Sequence, residues 1–290
     1  MNKYKIAVIA DSGTDVPREV IEKYQVRIVP LKIIYQGKEY LDGVDISNEE
    51  VYEKLGSGEG TPSTSLPSGE MIKDIYEKLQ AEGYEKVIAI SISSGLSGTS
   101  NIFRLMAEEV EGLEVSVIDT KSIGIGSGMF AGYVGELIEK GLPFESIVEK
   151  AEAVVQHSKV YFNIPILKYL EAGGRVGRVT SLLGSMMNLN IIISCDSDGI
   201  YYTAAKARGK KRSLAKLKEI IIQQAHSFNK YSIGVAYGGR EAREEAEEFL
   251  EELRDSLGNI HHSYFGQVSP ALGVHTGPGL IGATIQKIDF

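Results

Sequence analysis

The sequence predicts an α/β protein of two domains, the first built on a mostly parallel sheet flanked by helices, the second on a mixed sheet with helices. Three observations lead there. Through the first half, short apolar runs alternate with helical patterns. Residues 87–92 and 115–119 read as near-continuous apolar strands, the kind buried on both faces of a parallel sheet. In the second half, Asp196-Ser197-Asp198-Gly199 joins two extended runs as a hairpin turn, which requires an antiparallel pair.

The elements follow in order. Residues 4–10 form an apolar strand that ends in Asp11-Ser12-Gly13-Thr14-Asp15, and a helix begins near Pro17, where proline is tolerated in a first turn. Residues 26–35 are extended and β-branched, interrupted by Pro30; residues 47–55 form a short helix. Residues 68–81 form an amphipathic helix with Met71, Ile75 and Leu79 on one face. After the strand 87–92 come a Gly/Ser loop and a helix from about Ser100. Helix 144–157 leads to strand 160–164 and a short helix ending at Gly173-Gly174. Strands 191–195, 200–207, 232–237, 261–265 and 280–288 complete the chain, with long helices after Arg212 and Arg240. The change of pattern divides the chain into residues 1–160 and 161–290.

Composition sets limits. With 290 residues, 43% of them hydrophobic, the chain can bury a sizeable core. A net charge of -8 argues against neutralising nucleic-acid phosphates or adhering to anionic lipid surfaces. The single Cys195 excludes an intramolecular disulfide and a multi-cysteine metal cluster, and reads as a half-buried strand residue. No apolar stretch is long enough for a signal segment or a membrane span, so a cytoplasmic protein without integral membrane association is expected.

Polar, glycine-rich segments stand where strands end and helices begin, the usual place for ligands in open α/β sheets. Thr61-Pro62-Ser63-Thr64-Ser65-Leu66-Pro67-Ser68 offers five hydroxyls. Ser68 reads as an N-cap, whereas Thr64 and Ser65 lie too far upstream to cap the same helix. Ser93-Ser94-Gly95-Leu96-Ser97-Gly98-Thr99-Ser100 fits two readings, a tight strand-to-helix turn or a loop whose backbone N–H groups approach an anion. It lacks the last glycine of a hydrolase nucleophile elbow and the Gly-Lys-Ser/Thr ending of a P-loop. His275-Thr276-Gly277-Pro278-Gly279 supplies one imidazole before the last strand. Nothing near it has metal-ligand spacing. His261-His262 sits in a strand, where neighbouring side chains point to opposite faces, so it reads as a poor metal site. Hydroxyls, backbone N–H groups and an imidazole can hold an anion; no activated nucleophile is evident.

Together, Thr64-Ser65-Leu66-Pro67-Ser68, Ser93-Ser94-Gly95-Leu96-Ser97-Gly98-Thr99, Gly173-Gly174-Arg175 and His275-Thr276-Gly277-Pro278-Gly279 resemble the signature segments of the DegV family over the whole chain. Asp11-Ser12 and Ile118-Asp119-Thr120-Lys121-Ser122 also fit. The resemblance implies a bacterial fatty-acid-binding protein, the carrier subunit of a fatty acid kinase, with a fatty acid between two α/β domains and no cofactor. It implies carboxylate contacts at Thr64, Ser65, Ser97 and Gly98, with His275 beside them. Arg175 and Arg208 match positions that work with the kinase partner. The partners implied are the kinase catalytic subunit, which phosphorylates the carboxylate, and an acyltransferase that uses the acyl phosphate for phospholipid synthesis. Two positions depart from the family pattern: Leu66, where the family usually has Gln, and Val176-Gly177, where it often has Ile-Ser.

A C16 tail has about 14 methylenes, worth ~11 kcal/mol when buried, before the ordering costs are subtracted. Helix 123–135 and the segment 182–189 with Met186 and Met187 are candidates for the tunnel wall. The basic run Lys206, Arg208, Lys210, Lys211 and Arg212 fits either a solvated face or a docking surface for the kinase. Two rival readings stay open: a serine-type acyl hydrolase using Ser97 and His275, and a binding module for a phosphate-bearing small molecule.

Overall fold

The computed structural model describes residues 2–182 and 189–290. The chain opens with β1 (Ile6–Asp11), α1 (Arg18–Tyr24), β2 (Arg27–Val29), β3 (Lys32–Tyr35), β4 (Lys38–Leu41), α2 (Asn48–Gly56) and β5 (Ser63–Ser65). It continues through α3 (Gly69–Ala81), β6 (Lys86–Ser91), α4 (Thr99–Ala107), β7 (Glu114–Asp119), α5 (Ile125–Glu139) and α6 (Phe144–Val155). The remainder comprises β8 (Ser158–Ile164), α7 (Lys168–Ala172), β9 (Leu189–Cys195), β10 (Tyr201–Arg208), α8 (Lys210–Ala225), β11 (Tyr231–Tyr237), α9 (Arg243–Ser256), β12 (Ile260–Gln267), α10 (Pro270–Thr276) and β13 (Ile281–Lys287).

The strands make three sheets. The first, ordered β2-β1-β6-β7, is parallel throughout. The largest, β10-β9-β8-β13-β11-β12, is antiparallel except for the β11–β12 pair. The third, β4-β3-β5, is not among the expected elements; the Gln36-Gly37 turn folds 32–41 back on itself, and Pro30 separates β2 from β3. The expected division at residue 160 falls inside β8. Ser158 already pairs with Gln286 in the large sheet, so the sheets part between Val155 and Ser158.

Helix α5 joins the two halves. It packs on β1 and β6 of the first sheet and on β8, β11 and β13 of the large one. From Ile125 to Gly135 every residue is buried, a pattern expected of a helix with no solvent face. Gly126, Gly128, Gly132 and Gly135 keep it thin; a Cβ at Gly128 would strike the backbone of Thr14 and Asp15. On the outer face of the first sheet, Ile72, Tyr76 and Leu79 of α3 meet Ala7, Ile9 and Val87. The buried stripe of α3 therefore centres on Ile72 and Tyr76, with Met71 and Ile75 at its flanks, one residue further round than the sequence pattern suggests. Ser68 caps this helix by accepting from the Met71 N–H at 3.2 Å.

The large sheet is covered on both faces, by α5 on one and by α8 and α9 on the other. That double cover is why Cys195 is fully buried rather than half-buried, and burial pushes its thiol up to about 12. The edge strand β12 carries a bulge. Tyr231 pairs with Ile260 and Ile233 with Ser263, so two residues, His261 and His262, oppose one. The strict alternation expected of 261–265 fails there: both imidazoles turn to the same side, with centroids 4.2 Å apart.

Candidate functional site

A cavity of about 210 Å³ lies where the three sheets converge. Most of its wall is apolar, from Leu31, Ile92, Ile123, Ile125, Val160, Phe162, Val268, Leu272 and Leu280. Thr64, Ser65, Ser97, Arg175 and His275 supply polar groups to the same wall. Of helix 123–135, residues 123–125 reach the cavity while the rest serves as core. Met186 and Met187, the other expected wall, lie outside the described residues.

His275 sits near the end of α10, a short helix that is not among the elements read in the sequence. Two buried carboxylates of the first half hold its beginning. Asp15 accepts from the Ser269 N–H and Asp42 from the Ala271 N–H, each at 2.9 Å. Asp11 accepts from the Ile92 N–H at 2.9 Å. Burial raises all three acids: Asp11 to about 7, Asp42 to about 6, and Asp15 well above the usual carboxylate range. The Asp11-Ser12 motif is thus scaffold, tying the first sheet to the helix that bears the imidazole.

At the other end of α10, Thr64 Oγ1 and His275 Nε2 stand 2.7 Å apart. Burial, and then the Arg175 guanidinium, depress His275 to about 4, so the ring is neutral at pH 7. Among the described residues, its buried Nδ1 has no partner. A bare lone pair there costs less than a bare N–H, so the proton belongs on Nε2, donated to Thr64. The Thr64 hydroxyl proton is then free to donate into the cavity.

Gly173 lies against the same ring; a Cβ at that position would overlap Nδ1 and Cε1. Arg175 Nη1 donates to the Gly173 carbonyl at 2.7 Å, which fixes the guanidinium beside the imidazole. Arg175, assigned to partner contact on the resemblance, is therefore a wall residue and the cavity's cationic side chain among the described residues.

The Ser93–Ser100 loop serves two purposes. Gly95 admits the hairpin backbone at Asp198 and Gly199, where any Cβ would collide, and Ser93 Oγ donates to the Gly199 carbonyl at 2.9 Å. That glycine accommodates protein rather than ligand. Asp119 accepts from the Ser94 and Lys121 N–H groups, so the Ile118–Ser122 segment braces the loop. Ser97 lines the cavity and shares a 2.8 Å hydrogen bond with Thr99 Oγ1. Gly98 does not line it; it caps α4 and packs against Leu66. Arg208 stands exposed at the end of β10, away from the cavity wall, with Lys206, Lys210, Lys211 and Arg212 exposed around it.

The DegV family model, described as an uncharacterised protein family, matches residues 5–287. The chain belongs to the DegV family. A DegV domain-containing protein of Clostridium acetobutylicum is 44% identical over 283 residues, covering 98% of this chain and 99% of the relative. Among solved structures, a DegV family protein from Thermus thermophilus, described by its fatty acid binding, superposes with a TM-score of 0.91 at 28% identity over 98% of this chain and 99% of that one. A stearic acid-binding protein from Eubacterium ventriosum superposes at 0.86 with 27% identity, over 98% of each chain. The DegV fold accounts for the α/β architecture and its two principal sheets.

Proposed function

We propose that this DegV chain carries a long-chain fatty acid, with the tail in the cavity and the carboxylate at Thr64, Ser97, Arg175 and His275. The observation that carries this reading is the cavity itself, apolar along most of its wall and furnished with hydroxyls, one cation and a neutral imidazole. Fatty acid binding by the Thermus thermophilus and Eubacterium ventriosum relatives supports the choice of cargo. Burying the tail supplies most of the affinity, at ~0.8 kcal/mol per methylene. The Thr64 hydroxyl and the Arg175 guanidinium orient the head group by charge-assisted hydrogen bonds.

The carboxylate is in this reading the substrate of a separate fatty acid kinase, which transfers a phosphoryl group from ATP to form an acyl phosphate. An acyltransferase then draws on that acyl phosphate. Two features support presentation to a partner: Ser65 and Leu66 line the cavity yet are exposed, and exposed basic side chains gather around Arg208 in an otherwise acidic protein. A hydrolase fits poorly, because Ser97 bonds Thr99 while His275 bonds Thr64 and lacks an orienting carboxylate at Nδ1. Denaturing mass spectrometry of an organic extract tests the cargo. Near-stoichiometric fatty acid is expected. An empty extract, together with no uptake of added fatty acid, would remove the lipid function.

A further inference from the structure

The bulge in β12 builds a second polar cluster, apart from the cavity. His261 Nε2 lies 2.8 Å from Glu136 Oε2, and His262 Nε2 lies 2.5 Å from Glu136 Oε1. Without the extra residue in the strand, one imidazole would face the opposite side of the sheet. One ligand atom from each of the three residues falls within 4.8 Å of the others. None of the three lines the cavity.

We infer that Glu136, His261 and His262 form a binding site for a divalent d-block ion, Zn²⁺ foremost, with an open fourth position. Two imidazoles and one carboxylate are a ligand set that suits zinc's borderline softness and tetrahedral preference. Tetrahedral bonding at the usual zinc distances spaces ligand atoms roughly 3.3 Å apart. The present Nε2–O separations of 2.8 and 2.5 Å must lengthen by about 0.5–0.8 Å to reach that spacing. The Glu136 side chain is 13% exposed, that of His261 22% and that of His262 42%. These exposures leave the cluster open to an ion from solvent.

The surroundings favour a cation. Glu136 stands in the last turn of α5, near Glu139, where the helix dipole already disfavours a carboxylate and favours positive charge. Of the basic side chains near this helix end, Lys23 is paired with Glu139 at 3.1 Å, and Lys140 and Lys230 lie over the Phe290 ring. Phe290 meets His261 edge-on and Tyr264 packs against His262, which restrains both rings. To bind the ion, each Nε2 must present its lone pair, so the ring proton must sit on Nδ1. Such an ion would clamp β12, an edge strand paired on one side, to the helix buried between the sheets.

The test uses the full chain without a histidine tag, stripped with chelator and titrated with ZnCl₂ by calorimetry, with bound metal counted by mass spectrometry. One zinc per chain and a higher Tm in zinc are expected. His262→Gln, at the most exposed position, keeps a hydrogen-bonding side chain and should fold normally, yet weaken zinc binding by about tenfold or more. Glu136→Gln should do the same, and Co²⁺ should give the visible spectrum of a tetrahedral ion in the parent protein only. No saturable zinc uptake, or uptake unchanged in His262→Gln and Glu136→Gln, overturns the assignment and leaves a hydrogen-bonded cluster.

Discussion

Gly173 and His275, about a hundred residues apart in sequence, touch so closely that no side chain fits between them. The imidazole is located by two contacts: the Gly173 backbone against Nδ1 and the Thr64 hydroxyl on Nε2. Gly173→Ala should force the ring off Thr64. Overpacking of this kind costs about 1–3 kcal/mol, read as a lowered Tm, together with weaker fatty acid binding. Gly174→Ala is the control. It has open space for a Cβ but a positive φ of 68°, so its cost should be near ~1 kcal/mol with binding retained.

Thr64→Ala removes the partner of a buried Nε2–H, a loss of about 1–3 kcal/mol. Thr64→Ser keeps the hydroxyl and should restore most of it. In the carrier reading, Thr64→Ala and Ser97→Ala both disturb head-group positioning more than tail burial, so acyl phosphate formation should fall further than fatty acid affinity. Full activity with the kinase in either variant would contradict the roles assigned.

His275 offers a signature in protons. Without cargo it titrates at about 4. A carboxylate beside it favours the charged ring, which raises that value on binding. Binding should therefore take up protons, and affinity should strengthen as pH falls towards the ligand-free value. Calorimetry in buffers of different ionisation enthalpy measures the uptake; Arg175→Gln should raise the starting value and weaken head-group capture.

Stability should fall as pH rises from about 4 to about 7. Asp11 and Asp42 titrate at about 7 and about 6 in the folded chain, above their ordinary value near 3.8. At the three raised carboxyls the folded state binds more protons than the unfolded state across that window, against the opposite contribution of His275, so the stabilisation present at low pH is lost as pH passes the folded values. Asp11→Asn should flatten the profile, measured as Tm from pH 5 to pH 8. An identical slope in the variant would mean that other groups govern it.

Arg208→Glu tests the docking reading. Arg208 is exposed and outside the cavity wall. Charge reversal should slow phosphorylation by the kinase, most at low salt, and leave lipid affinity intact. Equal kinase kinetics in parent and variant would count against a docking role.

Much of the fold is legible in the residues because local signals agree with the tertiary result. The apolar run of β6 reads as a parallel strand because both its faces are covered, whereas β7, at the sheet edge, is parallel but only partly buried; the Asp196–Gly199 turn announces an antiparallel pair. The small sheet escaped because Ser63-Thr64-Ser65 has no apolar alternation; only its pairing with Lys32–Ile34 makes it a strand. The candidate site was legible as hydroxyls and one imidazole, since those residues lie in recognisable segments. The place of Arg175 was not, because it depends on a carbonyl that the chain presents only after folding. Alternation in β12 misled for the same reason: nothing in Ile260-His261-His262-Ser263 marks a bulge, which arises from its register with β11.

The buried passage of α5 between the sheets governs how cargo could be exchanged. Ile125 and Met129 reach towards Gly234 in β11, so swinging the sheets apart would bare both side chains. Those two alone would cost roughly 3–6 kcal/mol, making such an open form rarer than the closed one by about a hundredfold or more. A clamshell hinge is thus a poor route for loading and release, and traffic should follow local breathing of loops at the cavity mouth.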